Sequence, residues 1–287
     1  MAAAQSTSMP LPWSRELIVA NPPLQGKDVE ITQYLLLRAV ETPQTGLYDA
    51  GTASAVSTFQ KAHELSPTGV VDSKTAQMIL DLCSADGVKD SGFTAESLGY
   101  KYKLNIPVHV NRSIETKATL FDSKNNVMHV FTIRAHGHRD NDQGPDIWPD
   151  FGNGDIGLTQ FAGSGDTTTG IIEVDLNSPE PNPTLYGPWP VNRLVRGLSG
   201  NAKFLLPNYR DGQLLHTGDW STPEKAWDTS MPMPNSEGCL HAHPEDVERV
   251  FKILTEKLGV KVNDNPFSGK NYPYPPQGIA VVELINN

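Results

Sequence analysis

The hydrophobic period of this chain changes once, and the change divides it. Between Gly26 and Cys83 apolar side chains return every three to four positions; from Asn105 onward they alternate. A segment of period 3.6 buries its apolar side chains as a helix and exposes half of them as a strand, so these two stretches cannot share one kind of layer. A length of 287 residues agrees with more than one core.

The helical stretch has internal order. Val29, Ile31, Tyr34, Leu35 and Val40 form one stripe, Ala55, Val56 and Phe59 a second, and Ala76, Ile79 and Leu80 a third. Each later stripe has the same preface: Gly46-Leu47-Tyr48-Asp49 before Thr52, and Gly69-Val70-Val71-Asp72 before Thr75. Glycine makes the turn and aspartate caps the helix that follows. This repeat, with Phe59-Gln60 ending the middle helix, resembles the three-helix type of peptidoglycan-binding domain. The resemblance implies peptidoglycan as partner and names no contact residues.

The boundaries follow. Residues 1–25 are Pro-rich and patternless and read as an arm; 26–83 form the helical domain; 84–103 are a polar linker; 104–287 form the second domain. In the last, 105–111, 115–122, 125–137, 170–177, 201–208, 213–218, 260–264 and 278–285 read as strands, and 244–259 as a helix opened by Pro244 and closed by Gly259. The expected fold is multidomain, a small all-α three-helix domain followed by a mainly β, sandwich-like domain.

Composition excludes some functions. The formal charge is −10 and no basic run occurs, which argues against a nucleic-acid partner. No apolar run reaches the length of a membrane span, and the N-terminal residues lack the charged-then-apolar order of a secretory signal, so localisation stays open. Two cysteines, Cys83 and Cys239, make no disulfide framework.

Chemistry concentrates in "NSEGCLHAH", residues 235–243. A nucleophilic cysteine needs a base and donors for an oxyanion. Cys239 precedes a helix, and Gly238 lets its backbone approach a substrate, so the N–H groups of Gly238 and Cys239 are candidate oxyanion donors. His216, at the end of the strand "LLHTG", is 23 residues upstream and is the candidate base. The loop between them carries Trp220, Trp227 and three prolines, a composition suited to a lid.

A strand ending in histidine, a loop, then Ser-x-Gly-Cys and a helix is similar to the L,D-transpeptidase (YkuD-like) catalytic domain. "GDTTTGIIEVDL" and "LYGPWPV" resemble its strand segments and Tyr-Gly turn. The resemblance implies Cys239 as nucleophile, His216 as general base, Ser236 shaping the turn, and Thr217 or its carbonyl orienting His216. Trp220, Glu237 and His241 are candidate substrate contacts. The implied reaction cuts a peptidoglycan stem peptide between its third, L-residue and its fourth, D-residue through a thioester, without a cofactor. An amine acceptor gives transpeptidation, water gives L,D-carboxypeptidase or endopeptidase action, including action on foreign bacterial walls.

Two positions depart from the family pattern. Glu237 stands where the family has histidine, and His241 where it has asparagine or arginine. A carboxylate beside the thiol raises its pKa, and a protonated His241 would offset that.

Other readings compete. Cys239 could be an inert buried thiol in a degenerate peptidoglycan binder. Cys239, His241 and His243 alternate and, with His216 or Asp219, could hold zinc in a metal-dependent hydrolase. His136, His138, Asp140 and Asp142 alternate as well, and the Asp-rich stretch 140–155 could hold calcium. Neither pattern has a spacing that commits to a metal, and no metal is expected. His63, His109 and His129 receive no role.

Overall fold

The computed structural model describes residues 9–10, 12–137, 159–161, 163, 165–266 and 271–286. Two compact units divide the chain, 1–85 and 86–287.

In the first unit, β1 (Leu24–Gln25) precedes α1 (Lys27–Leu36), β2 (Leu47–Tyr48) precedes α2 (Ala50–Ala62), and α3 (Ser73–Cys83) ends the unit. Asp49 and Asp72 cap the last two helices, their carboxylates accepting from the N–H of Thr52 and Thr75. The sequence repeat has a physical counterpart in two buried glutamines. Gln33 accepts from Gly46 N–H at 2.9 Å and donates to Leu47 O at 2.9 Å and Thr52 Oγ1 at 2.8 Å. Gln60 accepts from Gly69 N–H at 2.9 Å and donates to Val70 O at 2.8 Å and Thr75 Oγ1 at 2.9 Å. Each amide satisfies the polar atoms of one Gly-x-x-Asp turn that water would otherwise have to reach.

The stretch read as an arm belongs to this unit. Trp13 and Leu17 are buried, Trp13 Nε1 donates to Thr32 Oγ1 at 2.8 Å, Leu17 bridges Val71, and β1 pairs with β2. Its apolar residues are too widely spaced to show a period.

In the second unit the strands are β3 (Tyr102–His109), β4 (Thr116–Asp122), β5 (Val127–Arg134), β6 (Gly170–Asn177), β7 (Val191–Ser199), β8 (Leu214–His216), β9 (Leu240–Ala242) and β10 (Gly278–Ile285). The helices are α4 (Pro183–Tyr186), α5 (Ala202–Leu205) and α6 (Pro244–Lys252), the last running into a wider turn over Ile253–Lys257. The strands close in the order β10-β3-β4-β5-β9-β8-β7-β6. The expected sandwich is therefore a closed barrel-like sheet: β10 joins β3 in parallel and β6 antiparallel, so no edge is left between two layers. Alternation puts Leu104, Ile106, Val108, Leu120, Phe131, Ile133, Val174 and Leu176 in one core, with α6 adding Val247 and Val250. Each such side chain, fully buried, contributes about 1.5–3 kcal/mol.

Several expected elements differ. The 201–208 stretch holds the short helix α5, not a strand; an apolar run of that length fits either, and Gly197 decides it by letting Ala202 O pass where a Cβ would lie 1.9 Å away. Of 260–264, only Asn263 bridges, to Asn177. Strand β7 is unexpected because Arg193 and Arg196 break its alternation. The stretch read as a linker packs within the second unit: Lys103, 1% exposed, pairs with Asp90 at 3.0 Å, and Asp86 accepts from Asn201 N at 2.8 Å and Thr169 Oγ1 at 2.7 Å. Among the described residues no helix is long and apolar enough to cross a membrane.

Candidate active site

Strands β8 and β9 are short, buried and parallel, with Leu215 opposite Leu240 and His216 opposite His241. This register places the end of the "LLH" strand beside the strand that Cys239 introduces. A cavity of about 630 Å³ opens there, lined by Gly163, Leu185, Tyr186, Asp211, Gly212, His216, Ser236, Glu237, Cys239 and His241.

His216 is 3% exposed and its Nδ1 lies 2.8 Å from Thr217 O. A carbonyl only accepts, so Nδ1 carries the hydrogen and Nε2 is left with its lone pair. Burial pushes this imidazole down to about 4, against the help of the Thr217 carbonyl. His216 is therefore neutral at neutral pH.

Cys239 is partly buried, whereas Cys83 is buried. Burial pushes the Cys239 thiol up to about 11; Leu214 N–H and the charges of Arg210 and Arg193 oppose this, and Glu237 adds to it. The resting pair is a neutral thiol with a neutral imidazole.

The turn before Cys239 is built by Ser236. Its hydroxyl donates to Cys239 O at 2.7 Å and accepts from Gly238 N–H at 3.1 Å, while its own N–H donates to His136 O at 2.8 Å. The Gly238 hydrogen, expected from the sequence as an oxyanion donor, is engaged here by the Ser236 hydroxyl. Gly238 has φ +100°, and a Cβ there would lie 2.1 Å from Arg210 Nη2, so only glycine fits.

His241 does not offset Glu237. Burial first, and then the neighbouring His216, hold its pKa well below the usual histidine range, so it is uncharged at neutral pH. Its Nδ1 lies 2.8 Å from Pro234 O, and its ring meets that of His216 edge-on at 4.7 Å. Glu237 is exposed at the cavity rim.

Trp220 is not on the cavity wall. It is 2% exposed and packs on His241 at 4.6 Å and Trp227 at 4.9 Å. Its φ of +50° is a strained value for a bulky residue, costing about 1–3 kcal/mol. Thr217 meets His216 through its carbonyl; its hydroxyl is buried without a partner among the described residues, as is Trp220 Nε1.

Two contributors carry little sequence signal. Tyr186, in the Tyr-Gly turn, lines the cavity with its ring 4.9 Å from His216. Arg210, in the loop before β8, lies beneath the Cys239 turn and donates to Glu237 O at 2.9 Å.

Among the described residues no three His, Cys, Asp or Glu side chains gather as a metal would need. The alternating histidines separate: His241 packs on Trp220, and His243 stacks on Trp227 at 5.7 Å. His136 pairs with Asp166 at 3.0 Å. His138, Asp140, Asp142 and most of the 140–155 stretch lie outside the described residues.

Comparison with known proteins bears on the two units unequally. No curated protein matches the chain. Among solved structures, a fused Zn-dependent amidase/peptidase/peptidoglycan-binding domain-containing protein from Clostridium acetobutylicum aligns over 93% of this chain and 99% of its own, at 13% identity and a TM-score of 0.24. A superposition that loose shows no common fold. Residues 25–79 match the family described as "Putative peptidoglycan binding domain". The chain thus joins a peptidoglycan-binding helical region to a large, mainly β unit that carries the cysteine–histidine cavity.

Proposed function

We propose that the second unit is a cysteine acyl-transfer enzyme of the L,D-transpeptidase type, working on peptidoglycan stem peptides. One observation carries the reading: His216, at the end of β8, and Cys239, just before the parallel neighbour β9, line the same cavity, with His216 held in the tautomer that leaves Nε2 free to take a proton. The peptidoglycan-binding match at residues 25–79 supports the substrate class.

The reaction starts from neutral groups. As Cys239 Sγ attacks the carbonyl carbon of the third stem residue, its proton passes to His216 Nε2. The tetrahedral intermediate collapses, the carbon–nitrogen bond breaks, and the departing D-residue takes that proton as an amine. A thioester remains. An amine of a second stem, or water, then gives a proton to His216 and displaces the thiolate, which is reprotonated. Transfer and hydrolysis differ only in this second nucleophile.

The test is a mass spectrum of a disaccharide-tetrapeptide after incubation with the full chain. A cross-linked dimer, or loss of the terminal D-residue, is the expected product. Unchanged substrate from a folded protein sinks the proposal.

A further inference from the structure

Arg210 is 4% exposed, yet among the described residues it forms no ion pair with a carboxylate. Its guanidinium instead bonds main-chain carbonyls: Gln160 O at 2.9 Å and Asp166 O through Nη1, Gly165 O and Glu237 O at 2.9 Å each through Nη2. A buried cation without a bonded counter-charge is expensive to keep. The site is shaped around it: Gly238 must lack a side chain because Arg210 Nη2 occupies the place of its Cβ.

We propose that Arg210 is a positioning residue for Cys239: its fork ties the Glu237–Gly238–Cys239 turn to the carbonyls of Gln160, Gly165 and Asp166, and its fixed charge holds the sulfur anion that forms during attack. It takes the part that a protonated His241 cannot take, since His241 is neutral. The influence is mutual, Arg210 favouring the thiolate and the thiolate, after Asp166, favouring the charged guanidinium; burial outweighs both and brings the guanidinium down to about 10. The other ionisable groups around the sulfur are Arg193 from β7, His216 from β8, His241 from β9, Tyr186 from α4, and Asp211 and Glu237 at the rim. His216 and His241 are uncharged at neutral pH, Asp211 and Glu237 oppose ionisation, and Arg193 is engaged by Glu180 at 2.8 Å. Arg210 is left as the cation that bonds no carboxylate among the described residues; the charge of Asp166 favours its protonated form and that of Arg112 opposes it.

The role in turnover rests on the cysteine enzyme proposed above, but the sulfur can be read without substrate. The experiment is the rate of iodoacetamide alkylation against pH in the full chain carrying Cys83→Ala, so that only Cys239 reacts. Arg210→Gln, which removes the charge, is expected to lower the rate at pH 9 about tenfold and move the inflection up by about one pH unit. Arg210→Lys, which keeps the charge and loses the fork, should hold the inflection near its original pH. A folded Gln variant with an unchanged inflection overturns the proposal, as does a Lys variant that shifts as far as Gln. If neither variant folds, the unmodified Arg210 protein gives the answer through salt. A buried cation is not screened, so the rate should not fall between 0.05 and 1 M salt; a severalfold fall would mean that exposed charges hold the anion. An Arg210 effect on alkylation with no reaction on the tetrapeptide would sink the enzyme reading alone.

Discussion

His216 and His241 oppose one another across a parallel strand pair, their rings 4.7 Å apart and 80° from coplanar, and each imidazole has Nδ1 against a backbone carbonyl. Burial lowers the pKa of both imidazoles, and His216 lowers that of His241 further.

The burial of His216 sets a pH dependence. His216 falls from about 6.5 in the unfolded chain to about 4 in the folded one. The unfolded chain binds more protons between these values, so stability is full above the window and is lost as pH falls through it. His216 alone should lose about 3 kcal/mol. Urea unfolding at pH 7 and pH 4 measures the loss, and His216→Asn should remove part of it. Turnover should show its acid limb near the same low pH.

Cys239→Ala should abolish turnover of the tetrapeptide while leaving the thermal midpoint nearly unchanged, because Cys239 is only partly buried and its thiol contact to Gly212 O is long at 3.7 Å. Retained activity would show that the sulfur does not carry the reaction. His216→Ala should lower kcat by about 10²–10⁴.

Glu237→Gln should quicken alkylation of Cys239 at pH 9. The carboxylate raises the thiol pKa, and it is exposed, so solvent weakens the effect to about two- to fivefold. A slower reaction would mean that Glu237 helps the anion.

The helical unit has its own test. Gln60→Ala strands the buried Gly69 N–H and removes donors from Val70 O and Thr75 Oγ1. The loss should be about 2–4 kcal/mol in urea unfolding followed by a probe in residues 1–85. Gln33→Ala should act alike, since it holds the first turn as Gln60 holds the second.

What could be read from the residues depended on range. The caps at Asp49 and Asp72 and the strands at 105–111 and 278–285 follow from neighbours in sequence and stand in the fold. Closure of the sheet rests on β10 meeting both β3 and β6, pairings across more than a hundred positions that no local pattern encodes. The site divides in the same way. His216 and Cys239 could be named because each stands in a local pattern. Arg210 could not, because "NYRDG" reads as a polar turn and its carbonyl partners, Gln160, Gly165, Asp166 and Glu237, lie far from it in sequence. The charge of His241 was also out of reach, since it depends on burial beneath Trp220.

The parallel join of β8 to β9 has a further effect. Strands paired in parallel need a long connection, and here it is the 217–239 segment with its two tryptophans. The ladder fixes His216 and the start of β9 beside Cys239, and the buried ends of the connection hold the site. Insertions, deletions and exchanges in its outer part, 221–232, can therefore reshape the surroundings of the cavity in a lineage without disturbing the proposed reacting pair, so substrate preference and chemistry are free to change at different rates.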